Sequence, residues 1–156
     1  MTPSRPALLY ALRALLLGLA LGAAGCSSFN RDWKAAAGPG SPDSIGGRWE
    51  GRWRSEANGH TDSLRCLITR GTNDTCSARF HAKYRAVFRI SFGYTVPLKV
   101  ERRGDEFQFE GSASLGALAG GRYTYKGRAT TTNFFSTYSC KYDHGIFEMT
   151  RPPPAP

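Results

Sequence analysis

Acidic residues are scarce in this chain of 156 residues: Asp and Glu number 12 against 21 Lys and Arg, a formal net charge of +9 at pH 7. That excess favours long-range attraction to anionic headgroups, acidic polysaccharide or nucleic acid, without specifying a partner. The chain is also short, with room for one domain around one modest core. It contains only 3 His and 4 Cys. None falls in a Cys-x-x-Cys or His-x-x-x-His spacing, so no dedicated metal site and no cofactor is expected. A phosphate-binding glycine loop, a nucleophile motif and paired inward carboxylates are missing as well. The nearest approach to catalytic chemistry is His60 with Asp62, His81, and Asp143 with His144. Both acid–histidine pairs sit in turns, where Asp commonly serves backbone hydrogen bonds, and catalysis is not expected. An apolar run of the roughly 20 residues that a membrane-spanning helix needs is also lacking.

The longest apolar run free of charge, Ala14 to Gly25, is about a dozen residues. It follows Arg5 and Arg13 and closes on small residues before Cys26, the layout of a cleaved export signal. Removing those two arginines leaves the basic excess in the domain itself. From Ser27 to Gly46 the chain is rich in Ser, Ala, Gly and Pro and reads as a flexible spacer, with Trp33 the largest of its few apolar side chains.

Ala23-Ala24-Gly25-Cys26 resembles the lipobox of bacterial lipoproteins, with Ala23 at the position that commonly carries Leu. The resemblance covers only the targeting segment. It implies cleavage before Cys26, a diacylglyceryl thioether on that cysteine and acylation (typically with palmitate) of the new amino terminus. It also implies a place in the cell envelope, with Ser27 compatible with the outer membrane where there are two membranes. Residues 1–25 are thus the expected signal peptide, 26–46 the lipidated N-terminus and linker, 47–151 the domain and 152–156 a Pro-rich tail.

From Gly47 onward the pattern has period two. Trp49 and Trp53 share a face opposite Arg48, Glu50, Arg52 and Arg54. Leu64, Cys66 and Ile68 alternate with Arg65 and Leu67, and Cys76, Ala78, Phe80 and Ala82 with Arg79, His81 and Lys83. Phe88 to Val100 alternates for so long that a bend, bulge or break is expected near Gly93 or Pro97. Phe107 with Phe109, Tyr123 with Tyr125, the stretch from Asn133 to Cys140, and Phe147 with Met149 complete the series. No helix of convincing length follows the signal. About eight or nine short strands joined by turns argue for an all-β fold, a soluble antiparallel up-and-down barrel or a compact sandwich. Its apolar faces point inward and its charges outward, the reverse of a membrane-spanning barrel.

The opening Gly47-Arg48-Trp49, echoed in Gly51-Arg52-Trp53, resembles the Gly-x-Trp start of the first strand in lipocalins and avidin-like barrels. The resemblance rests on these few residues. It implies a lipocalin-like barrel with a tryptophan closing one end against a basic residue from a late strand, for which Arg151 is suitably placed, and an interior that takes a small apolar ligand. Trp49, Trp53, Phe88, Phe92, Phe107, Phe109, Tyr123 and Tyr125 then line that cavity or simply fill the core. Cys66 and Cys76 fall opposite each other if the turn centres on Gly71. They are candidates for a cross-strand disulfide or for a pair of buried thiols, with Cys140 as a third partner. The outward cations Arg52, Arg54, Arg65, Arg79, Lys83 and Arg89 could meet an anionic envelope component or an envelope protein. Nucleic acid is not expected, because stacking aromatics and charge occupy opposite faces.

Overall fold

A computed structural model describes residues 28–38, 43–72, 74–85, 89–117 and 120–153. The expected signal peptide, Cys26 and Phe88 lie outside the described residues. Eight strands follow one another: β1 (Gly47–Ser55), β2 (Thr61–Arg70), β3 (Thr75–Arg85), β4 (Arg89–Arg103), β5 (Glu106–Ser114), β6 (Arg122–Ala129), β7 (Asn133–Ser139) and β8 (His144–Thr150). Each pairs with the next, and β8 pairs back onto β1 from Glu50↔Thr150 to Ser55↔Gly145, closing an antiparallel up-and-down barrel. Closure removes the free sheet edges that an open meander would expose.

Alternation in the sequence becomes inside and outside. Trp49, Leu64, Cys66, Ile68, Phe80, Val96, Leu98 and Phe134 are among the most buried side chains, all on the inner face. Gly51 shows how tightly the wall is drawn. A Cβ there would meet the Glu148 carbonyl oxygen at 2.0 Å, and a backbone atom in a paired strand cannot step aside. Gly51→Ala is therefore expected to cost about 3 kcal/mol in urea unfolding, at the upper end of overpacking effects.

β4 differs from expectation: it is one strand of 15 residues without a break. The long partner β3 holds it from Thr75↔Lys99 to Arg85↔Arg89. On its other side the ladder to β5 begins only at Leu98↔Gly111. Pro97, which has no N–H to donate, thus marks the end of that ladder rather than a break in the strand.

The expected spacer also contains structure. Residues 28–35 form a short helix, α1, lying on the outer wall of β2 and β3. Phe29 and Trp33, one turn apart, are buried with Leu67, the outward apolar residue of β2. Phe29 stacks on His81 with ring centroids 5.0 Å apart. The Arg65 guanidinium lies 5.2 Å from both aromatic rings, and Arg48 lies 5.5 Å from Trp33. Arg79 donates to the Asp32 carboxylate at 2.8 Å; Arg79 and Arg31 hold that carboxyl below its ordinary range. Composition alone marks this segment as unable to fold, and it does not fold alone: the arginines of the barrel wall supply the surface on which its two aromatics are covered.

Docking of α1 is expected to weaken in acid. Burial, assisted by Arg65 and Lys83, pushes the His81 imidazole below its ordinary 6.5. The docked state therefore excludes a proton that the undocked state accepts. The stabilisation is complete above about pH 6.5 and is lost as pH falls below it. Hydrogen exchange of residues 28–35 should accelerate on acidification well before that of β1–β8, and His81→Phe should abolish the difference. Uniform exchange across that pH range would count against the assignment.

Candidate functional site

The two ends of the barrel are built differently. At the end where β1 begins and β8 finishes, Trp49 is fully buried and its indole Nε1 donates to the Ile45 carbonyl at 2.8 Å. The Arg151 guanidinium carbon lies 3.7 Å from the Trp49 ring centroid, and the group donates to the carbonyls of Gly46 at 2.7 Å, Ser44 at 3.2 Å and Thr131 at 3.2 Å. Burial lowers the Arg151 guanidinium to about 10, so it remains charged at neutral pH. Tryptophan and arginine together plug this end, the contact that the Gly-x-Trp resemblance implies.

The other end is open. It holds a cavity of about 210 Å³ whose wall includes Trp53, Tyr84, Tyr94, Tyr123, Tyr125 and Phe147. Asp143 joins the lining from the β7–β8 turn. Ser55 Oγ donates to Asp143 Oδ1 at 2.6 Å and Tyr138 Oη to Oδ2 at 3.0 Å, so the carboxylate is anchored from two strands. Burial pushes the phenols of Tyr94, Tyr123, Tyr125 and Tyr138 up, and they remain neutral donors in ordinary conditions. Tyr125 Oη is buried without a hydrogen bond of ordinary geometry, although the Tyr94 hydroxyl is close enough to bear on its ionisation. A ligand hydroxyl, amine or carbonyl entering the cavity would find that group unsatisfied. Pockets for drug-sized molecules run roughly 300–1,000 Å³. This one suits a single small ring and is too small for a lipid chain.

The expected lining residues divide. Trp53, Tyr123 and Tyr125 border the cavity, whereas Phe107 and Phe109 pack below it in the core with Trp49. Phe92 also borders it but is 43% exposed at the rim, not part of the core. The physical reason is the short β4–β5 ladder, which leaves the Phe92 segment of β4 uncovered on one side.

The expected cross-strand cysteine pair does not form. Cys66 and Cys76 are both buried free thiols. Cys66 stands opposite Phe80 and Cys76 opposite Arg70, because the β2–β3 turn centres beyond Gly71. Four residues of strand, about 13 Å, thus separate their positions along the hairpin, too far for a disulfide. Burial pushes both thiols up, most strongly Cys66.

The acid–histidine combinations do not converge as catalytic pairs. His60 stacks on Tyr84 with centroids 4.1 Å apart, while Asp62 accepts from the Ser63 amide at 2.6 Å. Asp143 turns toward Ser55 and Tyr138, and His144 is exposed. Among the described residues no group of His, Cys, Asp and Glu could hold a metal ion. Of the outward cations, Arg65 and Arg79 are taken up by α1, whereas Arg52, Arg54 and Lys83 are exposed; the Arg89 side chain lies outside those described.

Sequence reasoning missed the Ser55–Asp143–Tyr138 cluster, in which Ser55 is 88 residues from Asp143. Its only local signal was an Asp in a turn next to a strand ending in tyrosine. No family model matches the chain, and neither a curated protein nor a solved structure shows significant similarity to it.

Proposed function

We propose that the protein is a lipid-anchored lipoprotein of the bacterial cell envelope, of the outer membrane where there are two, with a non-catalytic binding or structural role. The observation that carries this reading is the order of features along the chain. A basic start and a charge-free apolar run end on Cys26, and the barrel's strands follow from Gly47 onward. Neither acid–histidine pair meets in the cavity, which supports binding rather than catalysis. Intact mass spectrometry of the mature protein tests the anchor. The expected result is a chain beginning at Cys26 and carrying a diacylglyceryl group and an amide-linked acyl chain. An unmodified chain cut elsewhere would sink the reading.

The cavity favours a second reading, a carrier of a small ligand with a lipocalin-like mode of binding. Its aromatic wall and the unsatisfied Tyr125 hydroxyl suit a ring bearing one polar group. Native mass spectrometry should then find a bound small molecule that Tyr125→Phe reduces. A protein that is always empty would remove this reading and leave the anchor untouched.

A further inference from the structure

We propose that the open end of the barrel docks on the membrane surface, with Arg52, Lys83 and Arg85 on anionic headgroups and Ile90, Phe92 and Tyr142 entering the interface. The inference rests on the lipid anchor at Cys26. Its first support is the direction of α1. Phe29 near its start meets His81, while Asp32 meets Arg79 and Trp33 meets Arg48, which share one row of the ladder two residues nearer the closed end than His81. The start of the helix therefore points toward the open end. Covalent geometry keeps Cys26 within about 7 Å of Ser28. From His81 to the rim at Arg85 is only about 13 Å of strand. A lipid on Cys26 is thereby tethered two residues before the open-end side of α1, which favours the open end as the part brought to the bilayer.

The second support is chemical. At that place Arg52, Lys83 and Arg85 surround a depression of about 480 Å³ with Thr61, Asp62 and Ser63. Arg52, Lys83 and Arg85 make no ion pair among the described residues, although Arg85 adds to the Ser63 amide in lowering the Asp62 carboxyl. At the closed end Arg102 pairs with Asp43 at 2.9 Å, Arg103 with Glu101 at 3.1 Å and Arg128 with Glu106 at 3.6 Å, whereas at the open end the one such pair among the described residues is the longer Arg54–Glu56 contact at 3.9 Å. The third support is independent of charge. The exposed large hydrophobic residues among those described, Ile90, Phe92 and Tyr142, all belong to the open end. Free cations beside exposed apolar side chains on an anchored end suit an anionic bilayer surface better than water.

The test uses the lipidated protein in phosphatidylcholine vesicles with and without phosphatidylglycerol. In a Cys140→Ser background, a polarity-sensitive fluorophore is attached at Tyr142→Cys at the open end or at Asp105→Cys at the closed end. With anionic lipid the label at 142 should shift to the blue and resist an aqueous quencher, while the label at 105 stays exposed. Arg52→Gln, Lys83→Gln and Arg85→Gln combined should leave the protein on the vesicles but shift the docked fraction on the order of 100-fold toward undocked. Equal exposure of both labels, shielding of the label at 105, or a triple variant that docks unchanged would overturn the proposal. Protein that does not float with vesicles and carries no acyl mass would overturn the anchor and this inference together, so the two failures read differently.

Discussion

Replacing Cys26 with Ser is expected to move the protein from the membrane fraction to the soluble fraction as a folded barrel. The uncut apolar run would itself hold a variant to the membrane, so residues 1–25 are exchanged for an ordinary secretory signal in the test. The expected change is large because several acyl chains at about 0.8 kcal/mol per methylene are removed at once. Little replaces them. No helix among the described residues is long and apolar enough to cross a membrane. Among the described residues the barrel keeps most of its aromatic side chains inside and its charges outside, and the exposed apolar side chains at the rim form no band around it. The basic depression and rim could sustain only salt-sensitive association. Fractionation in high salt, with circular dichroism to confirm folding, is the measurement. A folded variant that still resists high salt and alkaline extraction would mean that something other than Cys26 anchors it.

Trp49→Ala is expected to destabilise the barrel by about 4 kcal/mol, a large share of the 5–15 kcal/mol that a domain of this size typically has. The indole is fully buried, packs against Phe134 with ring centroids 5.5 Å apart and donates to Ile45. Its removal opens a cavity and also takes the aromatic face from the half-buried Arg151 guanidinium. Trp49→Phe keeps a ring against Phe134 but loses the hydrogen bond, and should cost less than half as much. Urea unfolding of both variants measures the difference. A loss below about 1 kcal/mol for the alanine variant would show that the end is not held by this plug.

Much of the barrel is legible in the alternation of the chain, because a strand buried on one side must place every second residue inward. Trp49 and Trp53, then Leu64, Cys66 and Ile68, and Cys76, Ala78, Phe80 and Ala82 all face inward as their parity requires. The candidate site is less legible. Tyr123 and Tyr125 belong to it through parity, but Asp143 reaches it from a turn, and its partners Ser55 and Tyr138 come from the ends of β1 and β7. Helix α1 is invisible for a related reason. Phe29 and Trp33 are too few to make a core of their own, and what buries them is an arginine-bearing face of the barrel that hydropathy counts as exposed.

The scarcity of acid and the alternation of the chain are by themselves enough to determine a basic, all-β domain with an aromatic interior. Tertiary structure decided where along the strands each residue sits. Register depends on where a turn centres, which alternation leaves open. A shift by an even number of residues keeps Cys66 and Cys76 inside yet sets them apart. It also decided which cations are free. Charge counts every arginine alike, whereas the fold commits Arg65 and Arg79 to α1 and Arg151 to Trp49, and leaves Arg52 and Lys83 beside the open end.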